Sequence, residues 1–221
     1  MSARSDAAIR EWLDQLSALV PSLDGEAGPR GVLLRDAAST GDTLLKAANT
    51  GHPVLLGHAH LSVAALDLTL AYDGDERARR VTAALDHAEA AAAIAANADA
   101  PAVRLDLLPR ASALVAGCLS LSPKAKTKAL EGRLTKLAGD IGAAVTEQAD
   151  EARNGIATLA AAITLGDGAK LVRQVAAKRA VLERASGLAD EARISLVRAG
   201  ELRKADLAAE VADGLRARLP A

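Results

Sequence analysis

The sequence contains no phenylalanine, and tryptophan, tyrosine, methionine and cysteine each occur once among its 221 residues. Binding of single-stranded nucleic acid by base stacking needs aromatic platforms, and Trp12 and Tyr72 are too few to build them. A disulfide framework within one chain is excluded, because Cys118 is the only cysteine. No uninterrupted apolar run of about 18 residues occurs, and the nearest, residues 53–72, contains two histidines and Asp67. We therefore expect no membrane-spanning helix.

The N-terminus is polar and charged, and no apolar segment of the signal-peptide type follows it. We therefore expect a cytoplasmic protein, which agrees with the sparing use of cysteine. Alanine accounts for 54 residues, and arginine outnumbers lysine 19 to 8. This bias suggests a bacterial source with a GC-rich genome.

Alanine is also the main indicator of fold class. It is the best helix former and a poor strand former, and the balance of 27 basic and 28 acidic residues argues against disorder. Because phenylalanine is missing, leucine, isoleucine and valine must supply the bulk of the core. Alanine then lets helix axes approach at the short end of the usual ~8–10 Å. The composition predicts an all-α, alanine-rich helical bundle.

The first part of the chain, residues 1–121, is predicted to form a bundle of about five helices. Pro53, the turn Asp73-Gly74-Asp75 and Pro101 mark boundaries between helical segments. Pro109 falls inside the fifth segment and should kink or divide it. The expected helices span residues 6–20, 31–50 with an interruption at 39–41, 53–72, 76–97 and 101–120.

The remainder, residues 122–221, is predicted to form a long antiparallel helical hairpin. Ser122-Pro123 is a helix start signal, and the apolar spacing that follows is that of about five coiled-coil heptads. The first arm is either continuous or broken, and a break is expected first at Asn154-Gly155. We expect a hairpin tip at residues 166–168 and a last helix over residues 201–219, with Gly200 either tolerated or acting as a joint. The periodic positions of the first arm are Leu130, Leu134, Leu137, Ile141, Val145, Ala149, Ala152, Ile156, Leu159 and Ile163.

The second arm of this hairpin carries apolar residues outside a strict seam, at Val172, Val181 and Leu188. A stripe of that width needs more than one neighbouring helix to cover it. The neighbour is either the N-terminal bundle, in which case both parts form one domain, or a second copy of the chain.

The four histidines are the first candidates for chemistry. His58 and His60 are about 200° apart around a helix, so they cannot bind one metal ion together from that helix. A site that combines either of them with His87, Asp86 or Glu89 is possible in principle, but structural or surface roles are the simpler interpretation. The Glu-x-x-His motifs of a di-iron bundle do not occur. We assign no metal-binding residue.

The remaining motifs do not form a catalytic constellation. Cys118 lies in an apolar run, so we expect a small buried residue rather than a low-pKa nucleophile. Residues 166–170, Gly-Asp-Gly-Ala-Lys, lack the first glycine and the Lys-Ser/Thr pair of a phosphate-binding loop. Acidic residues near helix starts are explained by the helix dipole; they are Asp73, Asp75 and Glu76, Asp150 and Glu151, and Asp190 and Glu191. We assign no catalytic or cofactor-binding residue and expect no enzyme activity.

Charge is distributed unevenly along the chain. Residues 1–110 carry 10 basic and 15 acidic residues, whereas residues 111–221 carry 17 basic and 13 acidic residues. Two clusters concentrate the positive charge, and such clusters can bind phosphate groups or acidic lipids, although solvated helix faces also explain them. The clusters are Lys124, Lys126, Lys128, Arg133 and Lys136, and Lys170, Arg173, Lys178, Arg179 and Arg184.

These observations favour a non-enzymatic helical scaffold or interaction protein that acts through protein–protein association. Self-association into a homo-oligomer is the first form to test. The C-terminal half carries long apolar stripes, and no set of residues has the spacing of a catalytic site. The alternative is a nucleic-acid-associated regulatory protein that uses the basic C-terminal half. A membrane-active helical protein is least favoured, and no cofactor or small-molecule substrate is indicated.

Overall fold

The computed structural model describes residues 2–19, 27–119, 121, 127–146 and 150–220. Within these ranges the chain forms nine α-helices and no strands, which confirms the all-α prediction. The helices are α1 (Ser2–Leu19), α2 (Ala27–Ala47), α3 (Pro53–Tyr72), α4 (Arg77–Ala96), α5 (Pro101–Leu119), α6 (Thr127–Thr146), α7 (Glu151–Gly168), α8 (Val175–Arg198) and α9 (Leu202–Arg216).

One expectation about the N-terminal helices is wrong. Helix α2 continues through residues 39–41 without the predicted interruption. Gly41 lies inside the helix, and its bare Cα allows close contact with the ring of Trp12 in α1 and with Val63 in α3. Of the two outcomes predicted for Pro109, division does not occur, because α5 is a single helix on both sides of it.

The predicted long arm is interrupted earlier than expected. Helix α6 ends at Thr146, and α7 begins after Asp150, whose carboxylate accepts a hydrogen bond from the backbone N–H of Arg153 at 3.1 Å. This N-cap starts a new helix, so Asn154-Gly155 lies inside α7 and the break predicted there is wrong. Gly155 is needed for packing, since a Cβ would come within 2.6 Å of the Leu196 side chain.

The chain reverses after residues 166–168 and not at them. Helix α7 includes Gly168, and residues 169–174 connect it to α8. The next connection is made by Gly200, which has a φ of +77°. The Gly200 N–H donates to Val197 O at 3.0 Å and the Glu201 N–H to Leu196 O at 2.9 Å. This is a Schellman motif, so Gly200 acts as a joint.

The helices pack mainly on their neighbours in the sequence. Every extensive contact between described helices joins helices one or two positions apart, and the contacts two positions apart are α1–α3, α3–α5, α5–α7 and α7–α9. One core cluster includes buried residues from α3 to α9 and consists mostly of alanine and leucine.

Some predicted features lie outside the described residues. Ser120, Ser122 and Pro123 of the predicted boundary are among them, as are Ala149 and the side chain of Leu130 in the predicted seam.

The wide apolar stripe of the second arm is covered by the chain itself. Val181 and Leu188 are partly buried and pack against the main core cluster. Leu188 also packs against a small cluster of Ala162, Ala189 and Ala212, which come from α7, α8 and α9. A second copy is therefore not required to cover these side chains.

Candidate functional site

A cleft of about 540 Å³ lies between α1, α2, α3 and α5. Its volume is within the ~300–1,000 Å³ of common small-molecule sites. The wall is mainly apolar, with Leu13 and Leu16 from α1, Leu34 from α2 and Leu66 from α3. The helices around it are held together by Trp12, whose indole N–H donates to Ala37 O at 3.2 Å.

One end of the cleft is formed by a polar group that joins α3 to α5. His58 Nε2 lies 2.9 Å from Asp106 Oδ2, and His58 Nδ1 lies 2.9 Å from Arg110 Nη1. Because a guanidinium only donates, His58 Nδ1 must accept, so the ring carries its proton on Nε2 and donates it to Asp106. Asp106 and Arg110 are four residues apart on one face of α5 and hold the imidazole between them.

The charge in the cleft is positive. His58, Arg30 and Arg110 line it, and none of its described lining residues is acidic. The Nε atom of Arg30 is buried and has no hydrogen-bond partner among the described residues. Among the described residues, no carboxylate lies within ion-pair distance of Arg30 or Arg110. A buried donor without an acceptor costs free energy, so an anion in the cleft would be stabilised.

A second polar cluster lies between α3 and α4. The Nδ1 atoms of His60 and His87 are 2.9 Å apart, and their ring centroids are 5.2 Å apart. One ring must donate and the other accept, so the contact requires at least one neutral imidazole with an unprotonated Nδ1. Burial lowers the pKa of His60 to about 4, with His87 adding to the shift, and burial also lowers the pKa of His87.

This histidine pair predicts a loss of stability in acid. The unfolded chain takes up a proton near the ordinary pKa of 6.5, whereas folded His60 resists protonation until about pH 4, so stability falls as the pH drops through that window. The free energy of unfolding of the wild type relative to His60→Gln should fall by about 1–2 kcal/mol between pH 7 and 4.5. This is less than the pKa shift alone would give, because His60 is partly exposed. Urea unfolding at several pH values measures it.

The comparison with His60→Gln cancels the contributions of the other charged groups near the pair, namely Asp42, Lys46, Asp67 and Asp86. Thr82→Gln on the exposed face of α4 changes no titratable group, so it supplies the control and should leave the pH dependence unchanged. An equal slope in the wild type and His60→Gln would contradict the prediction.

A buried ion pair lies beside the histidines. Asp67 of α3 accepts a hydrogen bond from Arg80 Nη1 of α4 at 2.6 Å, with side chains that are 5% and 15% exposed. Burial raises the pKa of Asp67 despite the hydrogen bond from Arg80. Arg80 also lies 3.7 Å from Asp75, and Asp75 lies 3.6 Å from Arg35 of α2. The chain of charges therefore connects α2, α3 and α4.

The structure brings together only part of what the sequence suggested for metal binding. His60 meets His87, but Glu89 pairs with Arg133 at 2.5 Å, and His58 belongs to the separate group with Asp106. Among the described residues, no group of three or more histidine, cysteine, aspartate or glutamate side chains is arranged to hold a metal ion.

The other motifs have structural surroundings. Cys118 is completely buried, and burial raises the pKa of its thiol to about 12, as its apolar context indicated. Residues 166–168 lie in α7, where a Cβ on Gly166 would come within 2.4 Å of Leu215. Of the acidic residues predicted near helix starts, Glu76 pairs with Arg79 and Asp150 caps α7. Asp190 instead lies in the middle of α8 and pairs with Arg216 of α9, so the prediction of a helix start there is wrong.

Much of the basic charge in the C-terminal half is already paired. Lys136 lies 2.5 Å from Asp140, and Lys170 lies 2.5 Å from Asp167. Arg179 donates to Pro220 O at 2.7 Å. Lys124 and Lys126, and the side chain of Lys128, lie outside the described residues. The described part of the first cluster is therefore paired, whereas Arg173, Lys178, Arg179 and Arg184 of the second have no described carboxylate within ion-pair distance and remain open to a polyanion.

One described helix, α3, is long and apolar enough to cross a membrane by length and composition. The core helix of a bundle passes the same test. Helix α3 packs against α1, α2, α4 and α5 and carries the buried Asp67. These contacts account for its apolar character.

The His58–Asp106–Arg110 group and the Asp67–Arg80 pair were not predicted from the sequence. A signal for the pair was present, because Asp67 interrupts an otherwise apolar segment and a buried carboxylate needs a partner. No such signal marked Arg110, since its contacts depend on how α5 lies against α3.

Comparison with known proteins assigns no family: no family model matches the chain, and no curated protein matches it.

Proposed function

We propose that this chain is a non-enzymatic cytoplasmic interaction protein that self-associates through its C-terminal end. The observation that carries the proposal is an exposed apolar surface beside the α8–α9 joint. Ile194 and Val197 are 52% and 49% exposed, and Leu202 is 62% exposed. We call these three residues the C-terminal apolar surface. Large aliphatic side chains at the end of a helical array favour association, because no further helix covers them.

The finer architecture is part of the same proposal. We infer a helical bundle in which α7 and α8 are the arms of an antiparallel hairpin shorter than the one predicted. Gly155 lies next to Leu196, and Ala162 clusters with Ala189. Residue numbers that increase along α7 thus meet residue numbers that decrease along α8, which supports the antiparallel arrangement. Helix α9 then returns along the pair as the last element.

Charge supports an association of the C-terminal end of one copy with the N-terminal half of another. Residues 1–110 contain five more acidic than basic residues, and residues 111–221 contain four more basic than acidic residues. Opposite net charges on the two halves favour a head-to-tail contact over a symmetric one. A head-to-tail contact forms a ring if it closes and a filament if it does not.

Light scattering during size-exclusion chromatography tests the proposal. The wild type should have a mass that is a multiple of 22.5 kDa, and the multiple should fall as salt screens the attraction between halves. The double variant Ile194→Glu/Val197→Glu should elute as a monomer. Leu207→Glu is the matched control, since Leu207 is 49% exposed but lies about 140° from Leu202 around α9.

A wild-type monomer at every concentration and salt would contradict self-association. The basic C-terminal half would then be tested with double-stranded DNA at low salt, where binding that weakens steeply with added salt would support the alternative of a nucleic-acid-associated regulator. Arg173, Lys178, Arg179 and Arg184 have no described carboxylate partner and would be the contacts to test, whereas Lys136 and Lys170 are already paired.

A further inference from the structure

We propose that the cleft between α1, α2, α3 and α5 binds an elongated amphipathic carboxylate, with its head group on Arg110 beside His58 and its acyl chain along the leucine wall. This goes beyond the proposed self-association, whose C-terminal apolar surface lies on α8 and α9. Three observations carry the proposal: the sign of the charge in the cleft, the preparation of Arg110 and the length of the apolar wall.

The sign of the charge selects an anion. Arg30 and Arg110 line the cleft, and no acidic residue lines it within the part of the chain that the structure describes. Among the described residues, the buried Nε of Arg30 has no acceptor. A carboxylate bound to Arg110 offsets the positive charge at that end of the cleft, whereas a cation or a neutral polar molecule would leave it uncompensated.

Arg110 is oriented by His58 and keeps free N–H groups for the head group. Its Nη1 donates to His58 Nδ1, and Asp106 holds the other side of the same ring. Only one of the five guanidinium N–H groups is used in this contact, so the rest can donate to a carboxylate with the planar geometry that arginine favours. His58 Nδ1 is an unprotonated acceptor and Asp106 contacts the far side of the ring, so no described carboxylate contacts the guanidinium directly.

The apolar wall runs the length of the cleft. Along α3 the lining extends from His58 to Thr69, about 16 Å at 1.5 Å per residue. Helix α2 runs antiparallel to α3, since Leu34 clusters with Leu70 while Gly41 faces Val63. Arg30 therefore lies at the opposite end of the cleft from His58. A ligand with a single small head group would leave this wall uncovered, whereas an acyl chain fills it.

The test uses the full chain and dodecanoate as the probe. Isothermal titration calorimetry should show saturable binding of one dodecanoate per chain with a Kd in the micromolar range. Arg110→Gln should weaken binding about 10- to 100-fold, as expected for loss of a charge-assisted contact. Dodecanol and acetate, which each lack one half of the proposed ligand, should bind at least tenfold more weakly.

Two further variants keep the test independent of folding. Ala65 is exposed in the cleft, so Ala65→Phe should fill the cleft without disturbing the core and should abolish binding. Arg203→Gln, a change in exposed α9, should have no effect. Circular dichroism and the melting temperature of each free variant establish that it is folded. Loss of dodecanoate binding in Arg110→Gln and Ala65→Phe, with retention in Arg203→Gln, is the expected result.

Several outcomes would overturn the proposal. The absence of saturable dodecanoate binding would do so, and so would equal affinity for dodecanol, because the carboxylate would then contribute nothing. Unchanged affinity in Ala65→Phe would place the ligand outside the cleft. Loss of binding in Arg30→Gln with retention in Arg110→Gln would reverse the assigned direction of the ligand. The oligomeric state of each variant, measured in parallel, separates these results from the fate of the self-association proposal.

Discussion

Replacing Arg80 with methionine is expected to lower the free energy of unfolding by about 3 kcal/mol at neutral pH. The Asp67 side chain is only 5% exposed, and its carboxylate accepts a hydrogen bond from Arg80 Nη1 at 2.6 Å. Removing one member of a buried pair leaves the other charge unpaired, which typically costs ~3–5 kcal/mol. The 15% exposure of Arg80 places the expected value at the lower end. Urea denaturation followed by circular dichroism measures the change.

The pH dependence of this penalty separates lost charge from lost packing. Burial already raises the pKa of Asp67, and loss of Arg80 raises it further. A carboxyl whose folded pKa is raised favours the protonated folded state, so the penalty of Arg80→Met should shrink as the pH falls through the raised value. Adding Asp67→Asn should recover part of the stability. The exposed pair Asp190–Arg216 is the control, and Arg216→Gln should leave the free energy of unfolding nearly unchanged.

Replacing Gly41 with alanine is expected to destabilise the attachment of α1 by about 2–3 kcal/mol. A Cβ at this position would lie 2.4 Å from Trp12 Cζ2 and 2.6 Å from Val63 Cγ2. Neither a buried indole nor a valine can swing away as a long flexible side chain does. Helix α1 contacts only α2 and α3 extensively, so it is the element that moves. The expected observation is an emission maximum of Trp12 shifted to longer wavelength.

The fluorescence readout is specific because Trp12 is the only tryptophan in the sequence and is 4% exposed in the folded chain. Gly187→Ala is the matched control. Gly187 also lies inside a helix, and nothing lies within 4 Å of the position of its Cβ, so alanine there should stabilise α8 by up to about 1 kcal/mol. Equal effects of the two substitutions would show that helix propensity, and not the contact with Trp12, decides the outcome.

Helix formation and many helix boundaries could be predicted because they depend on local signals. Pro53 at the start of α3, the turn at Gly74 and the joint at Gly200 each impose a backbone conformation by their own covalent structure. Gly41 and Gly155 were misjudged for the opposite reason. In the sequence they are indistinguishable from weak points of a helix, and only the approach of Trp12 or Leu196 gives them a packing role.

The candidate site was less accessible to sequence analysis than the fold. The basic clusters are recognisable in the sequence because their charges are closely spaced, yet Arg133 and Lys136 are paired with carboxylates in the structure. The charge that lines the cleft is sparse: Arg30 and Arg110 are 80 positions apart by their numbers and lie in one cleft only after α1, α2, α3 and α5 have packed. Single charges on separate helices have no sequence pattern that would mark them.

The restriction of extensive contacts to helices one or two positions apart has a kinetic consequence. Most contacting residues are close in sequence, so the chain has a low relative contact order and should fold quickly without closing long loops. Each helix is stabilised by its neighbours and not by distant parts of the chain. Opening should therefore begin at the end helices and leave the centre intact. Amide hydrogen exchange in the native state should be slowest in α5 and α7 and fastest in α1.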